Sequence, residues 1–289
     1  MAVAAVTKWG SARPRAWLAA GAAALLLGGT LAACGDTGKP TLNWYVNPEG
    51  VDTLQSLAKQ CSAGKDFTIA IQQLPSSATD QRTQLARRLA ARDSSTDLIS
   101  IDPVYVPEFA SAGWLKTLPA AYAAEATSSD FLQGALDTVT WNGRTVAFSQ
   151  WANTQVLWYR KSLAEAAGLD MTKPLTWDQI IQAAAAHNGS VGVQANKYEG
   201  YVVWINALVA SAGGEMVADT DKGMDAKVTI DSPAGKAAAK VIETLAHSPA
   251  KQSDLSVSNE GTSLGRMYPT DPKAAQGAGQ FMVNWTFVY

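Results

Sequence analysis

From residue 41 onward, short apolar runs alternate with segments whose apolar residues recur every three or four positions. Residues 42–46, 67–74 and 97–101 predict strands, and residues 51–61, 78–92 and 104–112 predict helices. This alternation predicts an α/β lobe built on a largely parallel sheet. In the helix over 78–92, Leu85 and Leu89 mark the buried stripe, so Arg82, Arg87, Arg88 and Arg92 read as a solvated basic face. Further on, Asn142-Gly143 sits between apolar runs at 138–141 and 144–149, a hairpin signal. Residues 154–159 predict another strand. Thr176-Trp177-Asp178-Gln179 reads as a capping box, and Ser232-Pro233 as an N-cap followed by proline at the first helical position. Gly213-Gly214 closes a helix that begins near Glu199. The second half therefore reads as helices with a few strands, without an internal repeat.

The first 33 residues follow a different pattern. Lys8, Arg13 and Arg15 precede an apolar run over 16–31 rich in Ala and Gly, and no acidic residue lies among them. A charged start, a short apolar stretch and small residues before a cut describe a secretory leader. Leu31-Ala32-Ala33-Cys34 resembles the bacterial lipobox, which implies that the Cys34 thiol is lipidated and becomes the new N-terminus. Residues 34–40 then read as a tether, and the protein as anchored by lipid at the outer face of the cytoplasmic membrane. Of 23 Lys and Arg and 25 Asp and Glu, the leader holds three basic residues, so the remainder is acidic by five charges. That balance argues against nucleic acid as a partner. The second cysteine, Cys61, ends an amphipathic segment and reads as a buried thiol.

Catalytic signatures are missing. The sequence has no Cys-x-x-Cys, His-Glu-x-x-His, Gly-x-Ser-x-Gly or phosphate-loop pattern. His187 and His247 each fall near a predicted helix C-terminus, where the helix dipole suits a partial positive charge. The run Asp219–Asp225 resembles half a calcium loop, but Ile230 stands where a bidentate Glu belongs, so a hydrated turn is the better reading. Eight of the ten Trp lie beyond the leader, at 44, 114, 141, 151, 158, 177, 204 and 285. Flat aromatic faces suit the apolar faces of sugar rings, although most such residues serve packing. Glycosidase carboxylate pairs are not excluded by spacing, which keeps a carbohydrate-active hydrolase as an alternative.

The run Gln-Trp-Ala-Asn-Thr-Gln-Val-Leu-Trp-Tyr-Arg-Lys over 150–161 resembles extracellular solute-binding proteins (family 1) of ABC sugar importers. The likeness continues through Leu175–Asp178, Trp204 with Gly213-Gly214, Asp231-Ser232-Pro233 and Phe281-Met282-Val283-Asn284-Trp285, and spans residues 41–289. Asp80-Gln81-Arg82, Leu85–Leu89, Glu108-Phe109-Ala110 and Val193–Asn196 look like the trehalose-binding lipoproteins within that family. The resemblance implies a two-lobe α/β architecture, the periplasmic-binding-protein type II fold, with a hinge and a central cleft for sugar. The first lobe is expected over 41–156 and the second over 157–289. It also implies a binding protein rather than an enzyme, without metal or cofactor, that hands a disaccharide to the membrane subunits of an ABC permease.

Carried over by position, Asp102 follows the strand over 97–101 and accepts from sugar hydroxyls; as the residue before Pro103 it serves equally well as a helix cap. Asn153 both donates and accepts. Glu260 opens a helix of the second lobe as another carboxylate. Trp285 and Phe287 form an aromatic floor, and Asn47 and Glu49, on the loop after the first strand, are looser matches. Trp204 is looser still, since a helical Trp more often belongs to the core. The sequence also departs from the family. It stops at Tyr289, where family members continue back into the first lobe; residues 266–280, with Pro269, Pro272 and Gly277, replace a compact turn; and Thr286 stands where Pro is usual. The expectation is a two-lobe fold with an incomplete second half and a first lobe lacking its returning strands. A maltose-type oligosaccharide ligand and a non-functional truncated product are the alternatives within this reading.

Overall fold

Residues 1–8, 38–197, 199–253 and 279–286 are described by a computed structural model, and they fall into two units, Met1–Ala152 and Asn153–Tyr289. The first unit starts with β1 (Ala2–Ala5), followed by β2 (Thr41–Val46), α1 (Val51–Ser62), β3 (Thr68–Gln73), α2 (Ala78–Ala90) and β4 (Leu98–Ile101). A 3-10 turn over Pro103–Tyr105 leads into α3 (Val106–Ser111), then α4 (Ala120–Ala126) and α5 (Gln133–Asp137). The unit closes with β5 (Thr140–Trp141), β6 (Arg144–Thr145) and β7 (Phe148–Ser149).

Its five-stranded sheet runs in the order β3-β2-β4-β1-β7. β2 pairs in parallel with β3 along its whole length and with β4 through Trp44↔Leu98 and Tyr45↔Ile99. The helices that connect these strands follow their apolar spacing. α1 buries Leu54 and Ala58, and α2 buries Gln81, Leu85 and Leu89 under a cap in which the Ser77 hydroxyl accepts from the Asp80 amide. One core joins Leu85, Leu89, Ile99, Ile101, Val106 and Phe109. Burying an apolar side chain of this size stabilises by about 1.5–3 kcal/mol.

Four readings change in this unit. Expected as part of a leader outside the fold, Ala2–Ala5 instead lies between β4 and β7, antiparallel to both. The expected strand over 144–149 divides: Arg144-Thr145 turns back on β5 across Asn142 and Gly143, both at positive φ (47° and 71°), while Phe148-Ser149 joins β1. Cys61 is exposed, because the stripe begun by Leu54 and Ala58 continues to position 62; there the Ser62 hydroxyl donates to the Ala58 carbonyl and accepts from the Ile69 amide. The basic face of α2 is only partly solvated. Arg82 grips Glu108 of α3 with two hydrogen bonds, and Arg88 pairs with Asp93 and lies 4.8 Å over the Tyr45 ring.

The second unit contains β8 (Gln155–Tyr159), α6 (Lys161–Ala166), α7 (Trp177–Ala186), β9 (Ser190–Gly192) and α8 (Glu199–Ser211). They are followed by β10 (Val217–Ala218), β11 (Lys227–Val228), α9 (Pro233–His247) and β12 (Gly279–Trp285). β12 lies between β8, to which it is antiparallel, and β9, to which it is parallel. Because Gln155–Tyr159 pairs with β12, the chain passes into the second unit at Ala152/Asn153, four residues ahead of the expected boundary. The capping box forms as the sequence predicts: the Thr176 hydroxyl accepts from the Gln179 amide and the Gln179 side chain accepts from the Thr176 amide. Asp219–Asp225 is a turn between β10 and β11, with Asp219 paired to Lys222 and Lys227.

At the start of α9 the Ser232 hydroxyl caps the Gly235 amide, and a Cβ on Gly235 would stand 1.7 Å from the Ile230 carbonyl oxygen. That contact is with backbone, so it can be relieved only by breaking the cap. Gly235→Ala is expected to lower stability by about 3 kcal/mol. Urea unfolding followed by circular dichroism measures it, and an unchanged midpoint contradicts the close approach.

Candidate functional site

In the first unit β2, β4 and β7 point the same way, since β2 and β4 are parallel and β1 opposes both β4 and β7. Residues that follow these strands therefore share the C-terminal edge of the sheet, where parallel sheets present ligand groups. Asn47 and Glu49 follow β2, Asp102 follows β4 and Gln150 follows β7. Asn47 is buried; its amide nitrogen donates to the Glu49 carboxylate, and its Oδ1 has no partner among the described residues. The Gln150 amide oxygen accepts from Ser100 Oγ at 2.9 Å, and Ser100 Oγ accepts from Trp44 Nε1 at 3.1 Å. Gln150 Nε2 is buried without a partner among the described residues. Asp102 accepts from the Val104 amide at 3.3 Å and so caps the 3-10 turn while one carboxylate oxygen stays open to other contacts. The Met1 amine reaches the same edge, donating to the Trp151 carbonyl.

In the second unit Asn153, Gln155, Trp285 and Thr286 come together where β8 begins and β12 ends. Trp285 pairs with Gln155, and Thr286 Oγ1 lies 3.4 Å from Asn153 Oδ1. Gln155 Nε2 donates to buried Gln194 at 3.4 Å. The Trp285 carbonyl accepts from Trp158 Nε1, so its backbone is held while the indole stays partly exposed. Gln150, Gln155 and Gln194 escape a reading of the sequence; only their place beside strand ends marks them, and that emerges from pairing.

Trp204 is a core residue, 3% exposed, in α8. It lines a cavity of about 290 Å³ with Val193, Tyr201, Ile242 and Leu245, and its indole N–H has no partner among the described residues. Glu260, Phe287 and Cys34 lie outside the described residues. Among the described residues no cluster of His, Cys, Asp and Glu is arranged to hold a metal ion, and no helix is long and apolar enough to cross a membrane.

A sequence model of the family described as Bacterial extracellular solute-binding protein matches residues 47–286. The chain belongs to that family. A mannitol-binding protein of Pseudomonas aeruginosa is 31% identical over 110 residues, covering 37% of this chain and 24% of the relative. Among solved structures, maltose-bound MalE3 of T. maritima has a TM-score of 0.70 at 25% identity, over 85% of this chain and 61% of that protein. A solute-binding protein of Agrobacterium vitis with bound D-mannitol has a TM-score of 0.61 at 18% identity, over 86% and 58%; at that identity the likeness speaks to fold alone. The chain thus has the two-lobe mixed α/β fold of these binding proteins and spans about a quarter of the curated relative and three fifths of the solved ones.

Desolvation pushes the Met1 amine below its usual pKa of 8.0, and the nearby Asp102 carboxylate opposes this only in part. Just below pH 8.0 the unfolded chain therefore binds a proton that the folded chain does not, so stability rises with pH through that interval and levels off above it. Thermal melts between pH about 6 and about 9 are expected to show this rise, and Nα-acetylation of Met1 to remove it.

Proposed function

We propose that this family member is the substrate-binding component of an ABC importer, anchored outside the membrane by lipid on Cys34, and that it binds a trehalose-like disaccharide for delivery to the permease. The observation that carries the reading is the polar edge of the first sheet. A sugar hydroxyl donates and accepts, and here a buried amide oxygen, Asn47 Oδ1, and a buried amide nitrogen, Gln150 Nε2, lack partners among the described residues beside the carboxylates of Glu49 and Asp102. In the second unit Asn153 and partly exposed Trp285 offer an amide and an aromatic face. The match to a maltose-bound relative at 25% identity supports a disaccharide, and the mannitol-binding relative of Pseudomonas aeruginosa favours a second reading, a linear polyol.

We assign binding without turnover, with no metal or cofactor, because the family model that covers residues 47–286 describes solute-binding proteins.

Titration calorimetry of the chain with trehalose, maltose and mannitol tests the ligand class. Asp102→Ala is expected to weaken trehalose binding by about 1.5–3 kcal/mol, roughly ten- to a hundredfold. Equal affinity for the variant and the parent rejects the role of Asp102. Trp285→Ala should cost about 1 kcal/mol if the indole covers a sugar face. For the anchor, Cys34→Ser is expected to leave the precursor unprocessed and to release it from membranes; unchanged mass with membrane retention rejects it.

A further inference from the structure

Trp44 pairs with Leu98, and Ser100 lies two residues further along β4, so the three side chains share one face of the first sheet. The row that runs from Trp44 through Ser100 to Gln150 on this face has a fixed direction. An indole N–H can only donate, so Ser100 Oγ must accept from it. The Ser100 hydroxyl is left with a single proton, and Ser100 is fully buried, so that proton goes to the Gln150 amide oxygen. Were the Gln150 amide reversed, its nitrogen would face a hydroxyl that already accepts from Trp44, and the Ser100 proton would lose its acceptor inside the protein. Asn47 is fixed in the opposite sense. Its Nδ2 donates to the Glu49 carboxylate, whose ionised form only accepts, and its Oδ1 is left to face elsewhere.

We propose that Trp44 and Ser100 are positioning residues that hold Gln150 as a hydrogen-bond donor toward the bound sugar. The proposal rests on the reading of this sheet edge as the sugar site, and it assigns the edge a division of labour. Asn47 Oδ1 and the carboxylates of Glu49 and Asp102 are acceptors, and each claims a hydroxyl proton from the ligand. A sugar hydroxyl has one proton, and once that is given its oxygen still needs a donor; ring and glycosidic oxygens have no proton to give. With Asn47 Nδ2 engaged by Glu49, Gln150 Nε2 is the buried donor nitrogen of this group still without a partner among the described residues. A reversed Gln150 would turn the set into acceptors alone. Trp44 therefore acts on the ligand through its ring N–H, two side chains away, and not by stacking on a sugar face.

Two measurements on the full chain decide this. In proton NMR spectra of the ligand-free chain, the Trp44 indole N–H is identified by its loss in Trp44→Phe. Ser100→Ala is expected to move that resonance upfield, and an unmoved resonance overturns the row. The second measurement is a double-mutant cycle read by titration calorimetry with trehalose. Trp44→Phe frees the Ser100 hydroxyl to accept from Gln150 instead, so the amide can turn, and trehalose binding is expected to weaken about tenfold. Ser100→Ala releases the same amide and should weaken binding to a similar degree. In a Gln150→Ala background both changes should have almost no effect. Equal losses with and without Gln150 mark a general structural effect and overturn the positioning role. If trehalose, maltose and mannitol all fail to bind the parent chain, the reading of the edge as a sugar site fails and takes the role toward the ligand with it, and the indole resonance alone decides the row.

Discussion

A strand inside a sheet must find hydrogen-bond partners along both of its edges, and in each unit that inner place is taken by a segment distant in sequence from its neighbours. β1 stands between β4 and β7, and β12 between β8 and β9. The placement of the polar groups in each unit depends on these two insertions. β1 sets β4 and β7 in a common direction, which puts Asp102 and Gln150 on the edge that already carries Asn47 and Glu49. β12 draws Trp285 to the start of β8, beside Asn153 and Gln155. The polar groups are ordinary; their convergence is a product of strand pairing.

The local pieces of the fold are legible in the sequence for physical reasons. Strands β2, β3 and β4 and helices α1 and α2 follow the alternation of period-2 and period-3.6 apolar spacing, and the caps at Thr176 and Ser232 follow from hydroxyl chemistry at helix starts. The features that stay hidden depend on partners far along the chain. Nothing local to Ala2–Ala5 separates a sheet strand from the start of a leader, because both need small apolar residues. Arg88 reads as solvated until Tyr45 is placed beneath it. Cys61 reads as buried because the amphipathic pattern fixes a face only to within one residue, and the inward, partly buried position falls on Ser62.

The candidate site shows the same division. Asp102 is visible as the residue after a strand, and its capping and ligand roles are compatible, since the Val104 amide engages only one carboxylate oxygen. Gln150 is not visible, because a glutamine in the run over 150–161 carries no signal until Ser100 and Trp44 line up beneath it. A hydrogen-bonded row of this kind holds the terminal amide in one orientation, so the group presented at the edge is a donor rather than a freely rotating side chain. Trp204, by contrast, belongs to the interior of the second unit, and its aromatic face serves packing with Val193 and Leu245.

The placement of β12 also bears on how the chain acquires its structure. Trp158 and Trp285 are 127 positions apart, yet their hydrogen bond and the ladder beside it seal the second sheet. β8 and β9 have no partner for their facing edges until β12 has been made. A fold dominated by such distant pairings has high contact order and reaches its native state slowly, with apolar strand edges open to other chains in the meantime. Synthesis rate and chaperone supply therefore become determinants of yield for this protein, independently of how stable the finished sheet is.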